Sequence, residues 1–145
     1  MVIRVISAGL VSAAFCGLFQ VAGGNVIAAG INGALGYLIY LLFPGEGNLA
    51  GLLLSSMFMA VYAEAAARVR KAPAILFLSA ALIPIVPGGG MFECALKILR
   101  GQRLEAVAQF GNVMLEAGAI ALGIILVSSA MQMLQIRKKN IKGVD

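Results

Sequence analysis

Residues 83–93 read IPIVPGGGMFE, so two prolines and three consecutive glycines interrupt an otherwise apolar stretch. Pro84 and Pro87 each lack an amide hydrogen, and each disfavours the helical conformation in the residue before it. A helix that enters this stretch is therefore predicted to end near Ile83. The glycines at 88–90 tolerate backbone conformations that other residues resist, and they let another group approach closely. The stretch thus predicts a break in a helix.

A new helix is predicted to begin near Met91, with Glu93 in its first turn. A helix start presents free N–H groups and the positive end of the helix dipole, which together favour an anion. Broken helices of secondary transporters use such ends near the bilayer midplane. The basic turns RVRK and RGQR flank the stretch and place it near mid-membrane. We predict that substrate contacts come from Pro87, Gly88, Gly89, Gly90 and Glu93; the alternative is an ordinary turn between two short helices that enter from one side.

The composition is that of an integral membrane protein. The chain has 145 residues, of which 61% are hydrophobic and 12% charged, and its mean hydropathy is +1.00. A soluble domain carries about 25% charged residues, so this chain has too little polar surface to cover a water-soluble globule. The net charge is +5. Because the basic residues cluster between apolar runs and in the tail, they indicate the ends of membrane helices, and no nucleic-acid partner is expected.

The apolar runs predict an all-α membrane domain. A spanning helix needs about 20 mainly apolar residues, and period-2 alternation typical of barrel strands is absent. We expect about five transmembrane helices, the fourth broken at 84–90, in a single domain (1–145) with a short basic tail at about 136–145. The predicted helices cover residues 5–22, 26–43, 49–67, 72–99 and 104–134.

Lysine and arginine residues predict the orientation. If all five helices span, the turn RVRK and the tail share one side with seven basic residues, whereas Arg4 and the residues around RGQR give the other side four. Positive charge favours the cytoplasmic side. We therefore expect a multi-pass protein of the cell inner or plasma membrane, with a cytoplasmic C-terminus. A re-entrant fourth segment would instead put both basic turns on one side.

Polar residues recur on one face of the predicted fifth helix. The series follows steps of four and three residues, which is the spacing of a single helical face. Gln109 and Asn112 are interpreted either as interhelical hydrogen-bond groups or as substrate contacts. Glu116 has no cation one turn away, and a cavity-facing or proton-linked role is favoured for it. The series is Glu105, Gln109, Asn112, Glu116, Ala119 and Gly123.

Other polar groups have simpler interpretations. Asn32 lies deep in the predicted second helix, either as an interhelical contact or as a substrate contact. Glu64 and Arg68 are four residues apart in the favourable orientation for a helical ion pair, and Glu93 has Lys97 at the same spacing. With no histidine and no ligand cluster in the sequence, no metal and no cofactor are expected.

Two long segments carry a resemblance to a known family. They are RKAPAILFLSAALIPIVPGGGMFECALKILRG at 70–101 and EAGAIALGIILVSS at 116–129. The chain resembles the smaller, C-terminal-half-type membrane subunit of the threonine/serine exporter (ThrE) family over nearly its whole length. Members that resemble it carry an apolar-IP-two-apolar-PG core. The matching residues here are Ile83, Pro84, Ile85, Val86, Pro87 and Gly88.

The resemblance implies efflux of threonine and serine or, in some two-subunit members, of dicarboxylates such as succinate. It also implies a larger membrane subunit as partner, and hence a hetero-oligomer in the lipid bilayer. We expect a transporter subunit that works by alternating access and is not an enzyme, since no nucleophile–base motif is present. The alternative is a non-transporting scaffold or assembly subunit for a larger transport partner.

Overall fold

The computed structural model describes residues 1–18, 23–43, 45 and 48–142, with backbone alone over 135–142. The predicted end of the first helix at residue 22, most of the turn at 44–48 and the side chains of the basic tail lie outside this part. Its secondary structure is entirely helical, which confirms the all-α prediction. The elements are α1 Val2–Leu18, α2 Gly24–Leu42, α3 Leu49–Arg70, α4 Ala74–Leu82, a 3-10 turn Ile83–Ile85, α5 Gly88–Leu99 and α6 Arg103–Lys142.

Three of these helices are each long and apolar enough to cross a membrane: α2, α3 and the Arg103–Leu134 part of α6. The pair Ala74–Ile85 and Gly88–Leu99 meets the same criterion together, with a bend of 51° between its two parts. The described part of α1 has 17 residues and is a shorter apolar helix.

Small residues allow α1, α2 and α3 to pack closely as antiparallel neighbours. A Cβ atom added to Gly30 of α2 would lie 3.2 Å from the carbonyl oxygen of Gly9 in α1. Further along α2, Gly36 lies against Met59 of α3. Helices in a membrane associate through such close backbone approach. The buried core, which includes Phe77 of α4, lies mainly among α2, α3, α4 and the second half of α6.

Helix α6 runs in the same direction as α3. Gly123 of α6 lies against Ser56 of α3. Earlier in α6, Glu116 lies within electrostatic reach of Tyr40 of α2. Tyr40 lies next to the beginning of α3, because a Cβ atom on Gly51 of α3 would lie 3.5 Å from the carbonyl oxygen of Tyr40. Residues 116 and 123 of α6 thus follow the order of residues 51 and 56 of α3.

The parallel arrangement of α3 and α6 determines the path of the segment between them, which consists of α4, the 3-10 turn and α5. The segment leaves the end of α3 and must reach the start of α6, which lies towards the opposite end of the bundle. Its first part follows α2, since Asn32 contacts Phe77. Its second part runs antiparallel to α6, where Cys94 contacts Ala106 and Gly90 contacts Val113. The segment therefore runs along the bundle from the end of α3 to the start of α6, which is the path that a broken span takes.

The break differs in detail from the prediction. Helix α4 ends at Leu82, close to the predicted stop, and Val86 before Pro87 is extended as expected. Ile83 stays helical as the first residue of a 3-10 turn, and Pro84 follows it in the first turn, where the missing amide hydrogen is not needed. The new helix begins at Gly88 and not near Met91.

The prediction for residues after the break is corrected accordingly. The three glycines are the first turn of α5 and not a flexible gap, and Glu93 lies in the second turn and not the first. Pro87 precedes the helix with φ −75°, a value already compatible with a helix. Glycine adopts helical backbone angles without steric clash, and its free-energy cost in a helix is the loss of conformational entropy. The predicted ion pair of Glu64 and Arg68 is present, with 3.9 Å between Oε2 and Nη2.

Gly123→Ala should destabilise the protein because the α3–α6 contact has no room for a methyl group. A Cβ atom at this position would overlap the Ser56 hydroxyl group and lie 2.7 Å from the carbonyl oxygen of Leu53, which is backbone. Overpacking of this kind costs about 1–3 kcal/mol. The expected result is a lower midpoint of thermal unfolding in detergent.

Gly118→Ala is the matched control, since nothing lies within 4 Å of a Cβ atom there. It should leave stability unchanged or raise it by up to about 1 kcal/mol through helix propensity. Equal stability of the two variants would mean that α3 and α6 do not pack through Gly123.

Candidate functional site

The start of α5 has backbone N–H groups without partners. The Gly88 amide donates to the carbonyl oxygen of Val86 at 2.7 Å. Among the described residues, the amides of Gly89 and Gly90 have no acceptor, and Pro87 offers no side-chain cap. These two N–H groups are part of the unsatisfied first turn that every helix has. Here they follow directly from a break inside an apolar segment.

The glycines at this helix start differ in their surroundings. Gly88 and Gly89 are exposed, and no atom lies within 4 Å of a Cβ atom built on either one. Gly90 faces α6, where a Cβ atom would lie 2.8 Å from Cγ2 of Val113 and 3.4 Å from Nε2 of Gln109. The helix start is therefore held against α6 by its third residue, while its first two leave open space for a ligand.

Gln109 joins α5 and α6 near this helix start. Besides its proximity to Gly90, its Oε1 atom accepts a hydrogen bond from Nζ of Lys97 at 3.4 Å. Sequence spacing associated Lys97 with Glu93, but the structure turns Lys97 towards α6. A cross-helix contact between residues 97 and 109 has no signal in the local spacing of either helix. Glu93 is exposed on α5.

The polar series on α6 divides between exposed and buried positions. Glu105 and Asn112 are exposed, and Gln109 and Glu116 are half-buried. The first half of α6 packs chiefly against α5, a single helix, which explains why its polar residues are not enclosed. The buried residues of α6 form a neighbouring stripe in which every seventh residue is buried. The two small residues that end the polar series, Ala119 and Gly123, are buried with them. The buried residues are Ala106, Val113, Ala119, Ile120, Gly123 and Val127.

Glu116 lies near a tyrosine of α2 that sequence reasoning did not connect to it. It is within electrostatic reach of Tyr40 on α2. Tyr40 packs against Tyr37, with 5.9 Å between the ring centroids and an interplanar angle of 40°. Tyr37 and Tyr40 are three residues apart and so share a helix face. The proximity of Tyr40 to Glu116 follows only from the packing of both α2 and α6 against α3.

Asn32 lies away from the break, at the contact of three helices. Its side chain is 0% exposed, and its Nδ2 atom donates to the carbonyl oxygens of Met59 in α3 and Phe77 in α4, at 3.2 and 3.5 Å. Its Oδ1 atom is buried and has no partner among the described residues. This geometry joins α2, α3 and α4, as the interhelical interpretation of Asn32 expects. A substrate contact by Asn32 stays a prediction.

Asn32→Ala should destabilise the folded chain because two backbone carbonyl groups lose a donor and a small cavity forms. Interhelical hydrogen bonds in membranes contribute about 0.6–2 kcal/mol. We expect a lower unfolding midpoint in detergent. Asn112→Ala is the matched control, since Asn112 is exposed and without a partner among the described residues. A control that unfolds as early as Asn32→Ala would contradict the structural role of Asn32.

The fold defines a multi-pass membrane protein with apolar helices, one bent helix pair, and free amides where the second helix of that pair begins. The family model described as “Threonine/Serine exporter, ThrE” matches residues 4–130. The chain belongs to this family, and it is a transporter of the threonine/serine exporter type. No curated protein and no solved structure matches the chain.

Proposed function

We propose that the protein is one subunit of a two-component secondary transporter, which exports small carboxylate-bearing solutes by alternating access. The solutes are threonine and serine or a dicarboxylate such as succinate. The observation that supports this proposal is the pair of unpaired amides at Gly89 and Gly90. They lie at the start of a helix inside a broken span, which is where such transporters bind anionic groups.

The chemistry of the helix start fits a carboxylate. A carboxylate oxygen can accept a hydrogen bond from each free amide, and the positive end of the α5 dipole adds to the attraction. Hydrogen bonds to charged groups contribute about 1.5–3 kcal/mol each. Two of them supply about 3–6 kcal/mol, which brackets the 4.1 kcal/mol of a millimolar dissociation constant. Weak binding of this order suits a site that must also release its solute.

A larger partner subunit is part of the proposal. The helices described are few for a complete transporter, and α6 exposes Asn112 together with large apolar side chains such as Phe110 and Leu122. An exposed amide on an apolar helix is costly in lipid. A second membrane subunit over this face of α6 would shield Asn112. A scaffold subunit would need the same cover, so transport itself has to be measured.

The proposed location is the cell inner or plasma membrane, with the C-terminus in the cytoplasm. The observed direction of the helices puts the end of α3 and the C-terminal end of α6 on one side. The sequence then assigns seven basic residues to that side and four to the other.

The proton-linked role of Glu116 also stays a prediction within this proposal.

The double variant Gly88→Val/Gly89→Val tests the proposed site. Both positions have open space around Cβ, so the variant should fold and assemble. β-branched side chains there would cover the free amides. We expect at least about a tenfold loss of flux, since one charged hydrogen bond is worth that much. The measurement is threonine, serine and succinate flux in proteoliposomes that hold this protein and its larger partner.

Gly17→Val is the matched control, because Gly17 is also helical, exposed and surrounded by open space. It should retain the flux of the unmodified protein. If the double variant transports as well as this control, the free amides do not bind the solute. If the larger partner transports without this protein, the scaffold alternative is correct and the proposed function fails.

A further inference from the structure

We propose that a separate groove between α1, α2 and the 3-10 turn binds an oxyanion through Arg4. The oxyanion is either the carboxylate group of a small solute or the phosphate group of a lipid. The proposal concerns binding alone and does not depend on the transport reaction proposed above. None of the residues predicted as site residues from the sequence lies in this groove.

The groove is small and open. Its volume is about 260 Å³. Pockets for drug-sized ligands have volumes of about 300–1,000 Å³, so this groove suits a small solute or one head group. No acidic side chain lines it, and an anion would meet no like charge there. The lining residues are Ile3, Arg4, Ser7, Ala8, Val11, Tyr37 and Pro84.

Arg4 has no role in stabilising the part of the chain that the structure describes. Its guanidinium group is exposed and makes no ion pair or hydrogen bond with any described residue. It also lies in the first turn of α1, where the positive end of the helix dipole disfavours a cation. At the end of an apolar helix, a long basic side chain reaches the membrane surface, where it can meet an anion. Arginine is suited to this task because its planar fork matches both carboxylate and phosphate.

Two hydroxyl groups accompany Arg4. Ser7 lies three residues after Arg4 and so on the same face of α1. Tyr37 contributes from α2, and its ring is held by its contact with Tyr40. Neither hydroxyl group has a hydrogen-bond partner among the described residues, so both are free to bond to a ligand oxygen.

Pro84 connects this groove to the broken span. It belongs to the 3-10 turn that ends α4, four residues before α5 begins at Gly88. The groove therefore adjoins one end of the break, whereas the free amides of Gly89 and Gly90 lie at the other. An oxyanion held by Arg4 would rest against the turn itself, and its binding would depend on the geometry of the break.

The test is binding to the purified full chain in lipid nanodiscs, in two arms. In the first arm, discs of zwitterionic lipid are titrated with succinate and with threonine by isothermal calorimetry. In the second arm, discs with increasing phosphatidylglycerol are analysed without solute, and retained lipid is counted by native mass spectrometry. The variants are Arg4→Gln and Arg4→Lys, with Arg100→Gln as a matched loss of one exposed charge.

We expect Arg4→Gln to weaken binding at least about tenfold in one arm, with partial retention in Arg4→Lys and no change in Arg100→Gln. Tyr37→Phe should weaken the same arm by a smaller factor, which keeps the test valid if Arg4→Gln folds poorly. Loss in the first arm assigns the groove to a solute carboxylate, and loss in the second assigns it to a lipid phosphate. Absence of binding in both arms, or equal binding by Arg4→Gln and Arg100→Gln, would overturn the proposal.

Discussion

The constraint on which this structure depends is that backbone polar groups at membrane depth need partners. Lipid offers none, so a spanning segment must be helical or have its irregular backbone shielded by protein or water. Between Leu82 and Gly88, the segment from α4 to α5 is not α-helical, and this part of the segment is predicted to lie at membrane depth. At the α4 end of this interruption, Pro84 leaves no amide hydrogen unsatisfied, because the 3-10 turn places the proline where no amide is needed. At the other end, the amides of Gly89 and Gly90 have no acceptor among the described residues, and in the proposed function the solute is that acceptor.

The surrounding helices hold this break in place from two directions. Helix α4 packs against α2 and α3, where Asn32 donates to Phe77, and α5 packs against the first half of α6 through Gly90 and Gln109. Because α6 lies parallel to α3, the two halves of the broken span attach to different parts of the bundle. Movement of α5 with the first half of α6, relative to α4 with α2 and α3, would alter the break, while the second half of α6 stays packed on α3 through Gly123.

The sequence predicted those features that depend on local chemistry. Apolar runs located the helices, the prolines located the break, and residue spacing identified the pair of Glu64 and Arg68. It failed where the outcome depends on packing. Gly88 begins a helix whose third residue, Gly90, packs against Val113 of α6, although three glycines in a row favour a flexible gap. Asn112 is exposed because the first half of α6 has one neighbour, which helical periodicity cannot reveal. The hydrogen bond of Lys97 with Gln109 and the proximity of Glu116 to Tyr40 involve helices whose order in space the sequence does not state.

The central claim is that α4 and α5 form one interrupted crossing, so that the turns before and after them lie on opposite sides of the membrane. Two single-cysteine variants, Arg70→Cys and Gln102→Cys, report on those turns in a background in which Cys16 and Cys94, both buried, are replaced by alanine. Their labelling by a membrane-impermeant maleimide, added to sealed vesicles of uniform orientation, measures the topology directly. The structure predicts that one position reacts from outside the vesicle and the other only after the membrane is opened. Reaction of both positions from the same side would show a re-entrant segment and contradict the account.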